Sequence, residues 1–131
     1  MIRADSKEAK FLTQFTNGEH VSTSDTTRDK GGGNLGFRPH ELLEAAVASC
    51  MNMTLRMSAE KHSIPFSNVS VSVSLNCNAP ENPTFEYCVD FPEAFSKEQR
   101  EMLLSALERC PVRNTLSKPL GFKRHQQSHM A

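Results

Sequence analysis

The segment from Pro39 to about His62, PHELLEAAVASCMNMTLRMSAEKH, constrains the fold more than any other part of the chain. It contains no glycine, and its one proline stands at the first helical position, where a missing N–H costs nothing. Helical spacing aligns one set of residues, and a second set widens the apolar surface: Leu42, Ala46, Ser49, Met53 and Met57, then Leu43, Ala45, Val47, Ala48, Cys50 and Met51. A helix that is apolar nearly all round is typical of a buried position. We therefore predict a long, buried central helix.

Alternating sequences on both sides of this helix predict antiparallel strands. Before it, Asn17-Gly18 separates two short mixed stretches within residues 8–24, and Asn-Gly between strands strongly favours a hairpin. After it, apolar residues alternate with polar ones over 69–76 and again over 85–91, on either side of the turn NAPENP. This period of two predicts a long hairpin with one face on the core.

The glycine-rich segment 25–37, DTTRDKGGGNLGF, is predicted to be a crossover loop. It lacks the Lys-Ser/Thr ending of a phosphate-binding P-loop, and it does not match the dinucleotide pattern G-x-G-x-x-G. The sequence therefore predicts no nucleotide cofactor at this loop.

A second helix is predicted from Ser96, because Gln99 stands three residues later and completes a capping box. Its predicted inner face consists of Met102, Leu103, Ala106 and Leu107. Pro111 cannot continue this helix, so we expect the chain to break at Cys110 and to start a short further helix, PVRNTL. The fold class that follows is α+β: antiparallel sheets around a long central helix, with a second helix after a β-hairpin. We expect a single domain over residues 1–131, with a polar tail from about residue 123.

Composition excludes several classes of protein. With 131 residues the chain suits one domain, and no apolar run approaches the roughly 20 residues that a membrane helix needs. Fifteen basic residues balance fifteen acidic ones, which gives no general reason to expect a nucleic acid or an anionic membrane as partner. The start of the sequence has no signal-peptide pattern, so we expect a cytoplasmic protein. Its four cysteines should then be mostly reduced, and without a C-x-x-C spacing they predict no metal site.

Cys50 and Cys110 are the cysteines with chemical interest. A cysteine within a buried helix, like Cys50, is commonly just a small apolar side chain. Cys110 differs, because at a helix N-terminus its thiolate would face unpaired backbone N–H groups, which lower a thiol pKa. Arg109 and Arg113 flank it, although either residue can equally be a solvated side chain.

Cys77 and Cys88 are predicted to be structural. Cys77 falls in the inward register of the first strand of the second hairpin, and Cys88 falls in the outward register of the next. Neither stands in a motif that suggests chemistry.

Two of the cysteines lie in motifs that resemble a known family. Residues 36–56, GFRPHELLEAAVASCMNMTLR, are similar to the central-helix signature of OsmC-like proteins, in which a proline, an acidic residue and a leucine precede small residues and a cysteine. Residues 110–116, CPVRNTL, are similar to the motif around that family's other cysteine. The resemblance runs from about Asn17 to Phe122, and its two motifs occur in the family's order.

This resemblance to the OsmC/Ohr family implies a thiol peroxidase, with redox chemistry and a role in the oxidative stress response. On this basis Cys50 would attack the distal oxygen of an organic hydroperoxide, and Cys110 would trap the sulfenic acid as a disulfide. A dithiol would then restore both thiols, with no other cofactor. Methionines near Cys50 would favour a small hydrophobic peroxide. The family also implies an intertwined homodimer with active sites at its interface. The alternative is a non-catalytic OsmC-like protein that senses redox state or binds a small ligand.

The family also uses a carboxylate at the start of its central helix. Glu41 takes that position in this sequence, unless the pattern is shifted by one and His40 stands in its place. Glu41 and Cys50 are nine residues apart, which is roughly 180° around a helix. They cannot share one helix face, so a joint site would need a partner chain or a bridging arginine.

A buried thiol needs a nearby cation to ionise, because burial raises its pKa. The family takes an arginine from its N-terminal hairpin, but here the hairpin reads Gly18-Glu19-His20. Arg28, Arg38 and Arg56 are the candidates, and Arg56 lies about 120° from Cys50 around the helix. The predicted site is therefore Cys50, Cys110, Glu41 and Arg38, with Arg28 and Arg56 as alternatives to Arg38.

Overall fold

The computed structural model describes residues 1–126, which fall into two compact units: Met1–Leu42 with the segment from Gly121 onward, and Leu43–Leu120. The elements in chain order are β1 (Arg3–Ser6), β2 (Thr13–Thr16), β3 (Val21–Ser24), α1 (Pro39–Lys61), β4 (Ser70–Asn76), β5 (Thr84–Asp90), α2 (Lys97–Ser105) and α3 (Pro111–Leu116). The predicted α+β class with antiparallel sheets is confirmed. No helix within residues 1–126 is long and apolar enough to cross a membrane. Of the predicted polar tail, residues 127–131 lie outside the described part.

The first unit contains a three-stranded antiparallel sheet in the order β1-β2-β3. The predicted hairpin between β2 and β3 is confirmed, and the Asn17 carboxamide oxygen closes its turn by accepting from the N–H groups of Glu19 at 2.9 Å and His20 at 2.8 Å. Gly18 has a φ of 103°, a conformation that glycine adopts without strain. Strand β1 was not predicted, because its sequence RADS carries no apolar alternation.

Asp25 organises the glycine-rich loop that follows β3. Its buried carboxylate accepts hydrogen bonds from the backbone N–H groups of Thr26 at 2.7 Å, Gly33 at 3.2 Å and Leu35 at 3.1 Å. The hydrogen bond from the Leu35 backbone N–H is the main reason that the pKa of the Asp25 carboxyl lies below its ordinary value. The segment is a crossover loop as predicted, with a short 3-10 turn at Arg28–Lys30. The hydrogen bonds to the Asp25 carboxylate fix the path of its backbone.

Helix α1 confirms the predicted helix in position and length, and within the second unit one of its faces is buried. That face carries Val47, Met51, Leu55, Ser58 and Ala59. Its apolar members pack in a core with Phe95, Leu103, Leu107 and Cys110, joined by the inner face of the β4–β5 hairpin. Met53 and Met57 are 60% and 67% exposed, so burial all round α1 is not observed. The reason is geometric: the hairpin and α2 cover one side of the helix.

Polar side chains of α1 fix strand β4 beside it. The Glu44 carboxylate accepts from the Leu75 N–H at 2.6 Å, and the Asn52 amide donates to the Val69 carbonyl at 3.0 Å. These bonds satisfy backbone groups that β5 does not pair. The predicted hairpin is confirmed, with Val71 opposite Val89 and Leu75 opposite Phe85.

Helix α2 begins with the predicted capping box. The Ser96 hydroxyl accepts from the Gln99 backbone N–H at 3.1 Å, and the side-chain Oε1 of Gln99 accepts from the Ser96 backbone N–H at 2.9 Å. A 3-10 turn at Ala106–Arg109 leads to α3, the predicted short helix. Of the predicted inner face, Leu103, Ala106 and Leu107 are buried, whereas Met102 is 40% exposed. Met102 was placed wrongly, because the 103, 106, 107 spacing defines the buried stripe and Met102 lies beside it.

Candidate functional site

Cys50 and Cys110 come together in the second unit. Cys50 lies on α1 beside the buried Met51, is half-buried, and packs against the core that contains Cys110. Cys110 immediately precedes Pro111, the first residue of α3, and is 0% exposed. The two side chains are neighbours, since the Cys50 thiol helps to raise the pKa of the Cys110 thiol. Two segments that are 60 residues apart in sequence thus form one thiol pair.

Burial raises the pKa of the Cys110 thiol, and the neighbouring Cys50 thiol raises it further. The backbone N–H groups of Arg113 and Val112 at the start of α3 act in the opposite direction but do not offset the burial. The predicted lowering of the Cys110 pKa is therefore wrong. The sequence located the helix start correctly, but it could not show that the sulfur is completely buried.

Cys77 and Cys88 are both exposed and do not belong to the core that contains Cys110. The inward position predicted for Cys77 is wrong, because β4 ends at Asn76 and the alternation stops there. The outward position predicted for Cys88 is confirmed, and Cys88 pairs with Ser72 across the hairpin.

Arg38 and Glu41 form a local ion pair in the first unit. The guanidinium Nε of Arg38 lies 3.4 Å from Glu41 Oε1, and the Arg38 backbone N–H donates to the same oxygen at 2.8 Å. That N–H group and the guanidinium hold the pKa of Glu41 below its ordinary value. Arg28 lies in the 3-10 turn of the same unit. His40, the residue before Glu41, is exposed in the first turn of α1.

Arg56 is the one candidate cation of the three that lies in the same unit as the cysteines. Its Nε is 3.6 Å from Glu60 Oε1, one turn further along α1. Its guanidinium carbon also lies 6.0 Å from the centre of the Phe66 ring. Arg56 is thus engaged with partners other than the thiols.

A cavity of about 350 Å³ opens between α1, the β4–β5 hairpin and α3. Arg113, which lines it, is half-buried. Its Nη1 donates to the Leu107 carbonyl at a long 3.4 Å, and its guanidinium carbon lies 5.9 Å from the centre of the Tyr87 ring. From the sequence, Arg113 is recognisable only as a neighbour of Cys110, since the hairpin that completes the cavity is distant along the chain.

Over the described range, no group of three or more histidine, cysteine, aspartate or glutamate side chains is arranged to hold a metal ion. The second unit carries the thiol pair and the arginine-lined cavity, and the first unit carries the Arg38–Glu41 ion pair.

Comparison with protein families gives a match over most of the chain. Residues 31–123 match the model of a family described as OsmC-like protein. No curated protein matches the chain.

Solved structures share the fold at low sequence identity. An OsmC-like protein from Mycoplasma pneumoniae is 20% identical with a TM-score of 0.67, and the match covers 89% of this chain and 86% of that one. The organic hydroperoxide resistance protein OhrB of Bacillus subtilis is 19% identical with a TM-score of 0.61, covering 88% of each chain. An OsmC-like protein of unknown function from Vibrio cholerae is 14% identical with a TM-score of 0.65, covering 88% of this chain and 91% of that one. At such identities the likeness shows the fold, and the function has to be argued from the site.

Proposed function

The chain belongs to the family of OsmC-like proteins, and from this premise we propose that it is a thiol peroxidase that reduces organic hydroperoxides through Cys50 and Cys110. The observation that carries the proposal is the pairing of a half-buried thiol with a fully buried one. The half-buried Cys50 thiol can contact a substrate, and the buried Cys110 thiol lies beside it and can react in a second step. The name of the similar Bacillus subtilis protein, an organic hydroperoxide resistance protein, supports the choice of substrate.

In the proposed reaction the Cys50 thiolate attacks the distal oxygen of the hydroperoxide R–O–O–H. The O–O bond breaks, the leaving alkoxide takes up a proton to become the alcohol R–OH, and the Cys50 sulfur is oxidised to a sulfenic acid. The Cys110 thiol then gives up its proton, and its sulfur attacks the Cys50 sulfur as the S–O bond breaks and a disulfide forms. The leaving hydroxide takes up a proton and departs as water. A dithiol reduces the disulfide by exchange and is itself oxidised to a disulfide.

The difference in exposure between the two thiols supports these roles. Cys50 is the member of the pair that is open in part, whereas Cys110 is closed off and its pKa is raised by burial. A thiol that stays protonated until its neighbour is oxidised suits the second step better than the first.

We further propose that Arg38 and Glu41 serve this reaction, as the family resemblance implies. Their contact supports the proposal, because the carboxylate is ionised and holds the guanidinium in one place. Turnover by the Arg38→Gln and Glu41→Gln variants tests it, with Arg3→Gln, an exposed arginine of the same unit, as the control for loss of a positive charge. Equal activity of all three variants would remove Arg38 and Glu41 from the site.

A homodimer is the proposed assembly. The exposed methionines of α1, Met53 at 60% and Met57 at 67%, leave an apolar surface that a second copy would cover. Light scattering at several protein concentrations tests it: Met57→Lys should shift the wild-type dimer toward monomer.

The four free cysteines support the cytoplasm as the proposed compartment.

The decisive experiment is consumption of cumene hydroperoxide by the purified protein with dithiothreitol as reductant. Wild type, Cys50→Ser, Cys110→Ser and the double control Cys77→Ser/Cys88→Ser are compared. We expect turnover to fall to the rate of free dithiol without Cys50, and to remain in the double control. Cys110→Ser should form the sulfenic acid without the internal disulfide, which dimedone labelling detects.

The alternative is a non-catalytic protein that senses redox state or binds a small ligand. It is favoured by the burial of Cys110, because a protonated, inaccessible thiol is a poor reactant. Wild-type turnover no faster than free dithiol would select this alternative.

A further inference from the structure

We propose that the cavity between α1, β5 and α3 is a binding site for a small organic carboxylate, whose charged group pairs with the guanidinium of Arg113. The hydrocarbon part would lie against Val47, Met51 and Phe85. This proposal goes beyond the thiol chemistry, because it concerns binding and requires neither cysteine.

The guanidinium of Arg113 has unused hydrogen-bonding capacity. It carries five N–H donors, and among the described residues it makes a single long hydrogen bond, to the Leu107 carbonyl at 3.4 Å. Within residues 1–126 no carboxylate lies within 4.0 Å of it. A half-buried charge without a counterion is unfavourable, and an incoming carboxylate can accept two parallel N–H bonds from the fork.

The lining of the cavity suits an anion with an apolar part. Among its lining residues Arg113 is the one that carries a charge, so no acidic side chain lines the cavity. Val47, Met51, Phe85 and Leu116 supply apolar surface, and the Tyr87 ring lies 5.9 Å from the guanidinium carbon. An apolar wall with one unpaired cation is complementary to an amphiphilic anion rather than to a sugar or a neutral hydrocarbon.

The volume of the cavity limits the size of the ligand. A volume of about 350 Å³ stands at the lower end of the range of roughly 300–1,000 Å³ found for small-molecule sites. The cavity therefore suits a carboxylate with a short hydrocarbon chain. Sodium octanoate is a suitable probe, and octanamide is its uncharged counterpart.

The test is an NMR titration of the isotope-labelled, full-length protein with octanoate. Saturable shifts are expected for the Arg113 Nε–H group and for the backbone amides of Thr84, Phe85 and Leu116. Arg113→Gln should weaken octanoate binding about tenfold or more, because it removes a charge-assisted bond. Arg109→Gln is the matched control: Arg109 is exposed, lies outside the cavity, and its variant should stay within about twofold of wild type.

Two further comparisons keep the test decisive if Arg113→Gln folds poorly. Octanamide should bind wild type much more weakly than octanoate, and Arg113→Lys should retain part of the affinity, because it keeps the charge but loses the fork. Equal binding of octanamide and octanoate would overturn the proposal. So would an absence of saturable shifts, shifts confined to other residues, or equal effects of the Arg109 and Arg113 variants. None of these outcomes depends on peroxide turnover, so the thiol proposal is judged separately.

Discussion

The Cys50 and Cys110 side chains meet in the core of the second unit, although one projects from the long helix α1 and the other precedes α3. Their environments are unequal. Cys50 is half-buried, whereas Cys110 is fully buried and its pKa is raised by that burial. A pair of thiols that differ in this way can react in a fixed order, the open one first.

This order predicts the course of alkylation by iodoacetamide under native conditions. In a Cys77→Ser/Cys88→Ser background, which removes the two exposed cysteines, Cys50 should be modified before Cys110. Mass spectrometry of peptides at successive times gives the two rates. In 6 M urea both thiols should react at similar rates, which controls for intrinsic reactivity. Faster native modification of Cys110 would contradict the proposed roles.

The raised pKa of Cys110 also predicts how stability depends on pH. The folded state disfavours the thiolate, so Cys110 contributes stability fully below the pKa of an unfolded cysteine, about 8.5. That contribution is lost as pH rises through the higher folded value. Urea unfolding of the reduced protein at fixed concentration should therefore show the advantage of wild type over Cys110→Ala shrinking between neutral and alkaline pH. A constant difference over that range would show that Cys110 has no raised pKa.

The positions of the helices were predictable because their signals are local. The proline that starts α1 and the Ser96–Gln99 capping box are read from neighbouring residues, and both are observed. The β4–β5 hairpin followed from its period of two in the same way. Such patterns depend on few contacts outside the element itself.

The environment of the site was less predictable because it depends on distant segments. The sequence could not show that the core closes over Cys110, and so the direction of its pKa was wrong. Nor could apolar spacing alone distinguish the two sides of α1: the stripe through Met53 and Met57 is exposed, and the one through Met51 and Leu55 is buried. Arg113 could not be predicted to line a cavity, because the hairpin that forms the other wall is distant in sequence.

Two adjacent leucines of α2 provide a test of the core. Leu103 is 0% exposed and Leu104 is 41% exposed, so the same substitution can be compared at neighbouring positions of one helix. Leu103→Ala should lower the free energy of unfolding by about 2–5 kcal/mol, through lost burial and the cavity that remains. Leu104→Ala should cost less than about 1 kcal/mol. Equal losses, measured by urea unfolding at one protein concentration, would mean that α2 is packed differently.

Gly32 should not tolerate a side chain in the loop of the first unit. A Cβ at this position would overlap the Thr26 carbonyl oxygen and would lie 2.8 Å from an Asp25 carboxylate oxygen. Gly32→Ala should therefore destabilise the protein by about 1–3 kcal/mol. Gly121→Ala is the control, because nothing lies within 4 Å of a Cβ there, and its effect should stay within about 0.5 kcal/mol.

The carboxylate of Asp25 predicts an acid-sensitive loop. Hydrogen bonds from backbone N–H groups, of which the one from Leu35 contributes most, lower the pKa of Asp25. Its carboxylate therefore contributes stability above the unfolded pKa of about 3.9. The contribution is lost as pH falls through the lower folded value. Hydrogen exchange should therefore show the Gly33 and Leu35 amides protected at neutral pH and progressively exposed on acidification below about pH 4. In Asp25→Asn both amides should already be less protected at neutral pH, because the charged acceptor is gone. Asp90→Asn, on the exposed face of β5, should leave them unchanged, and equal protection in all three proteins would show that Asp25 does not hold the loop.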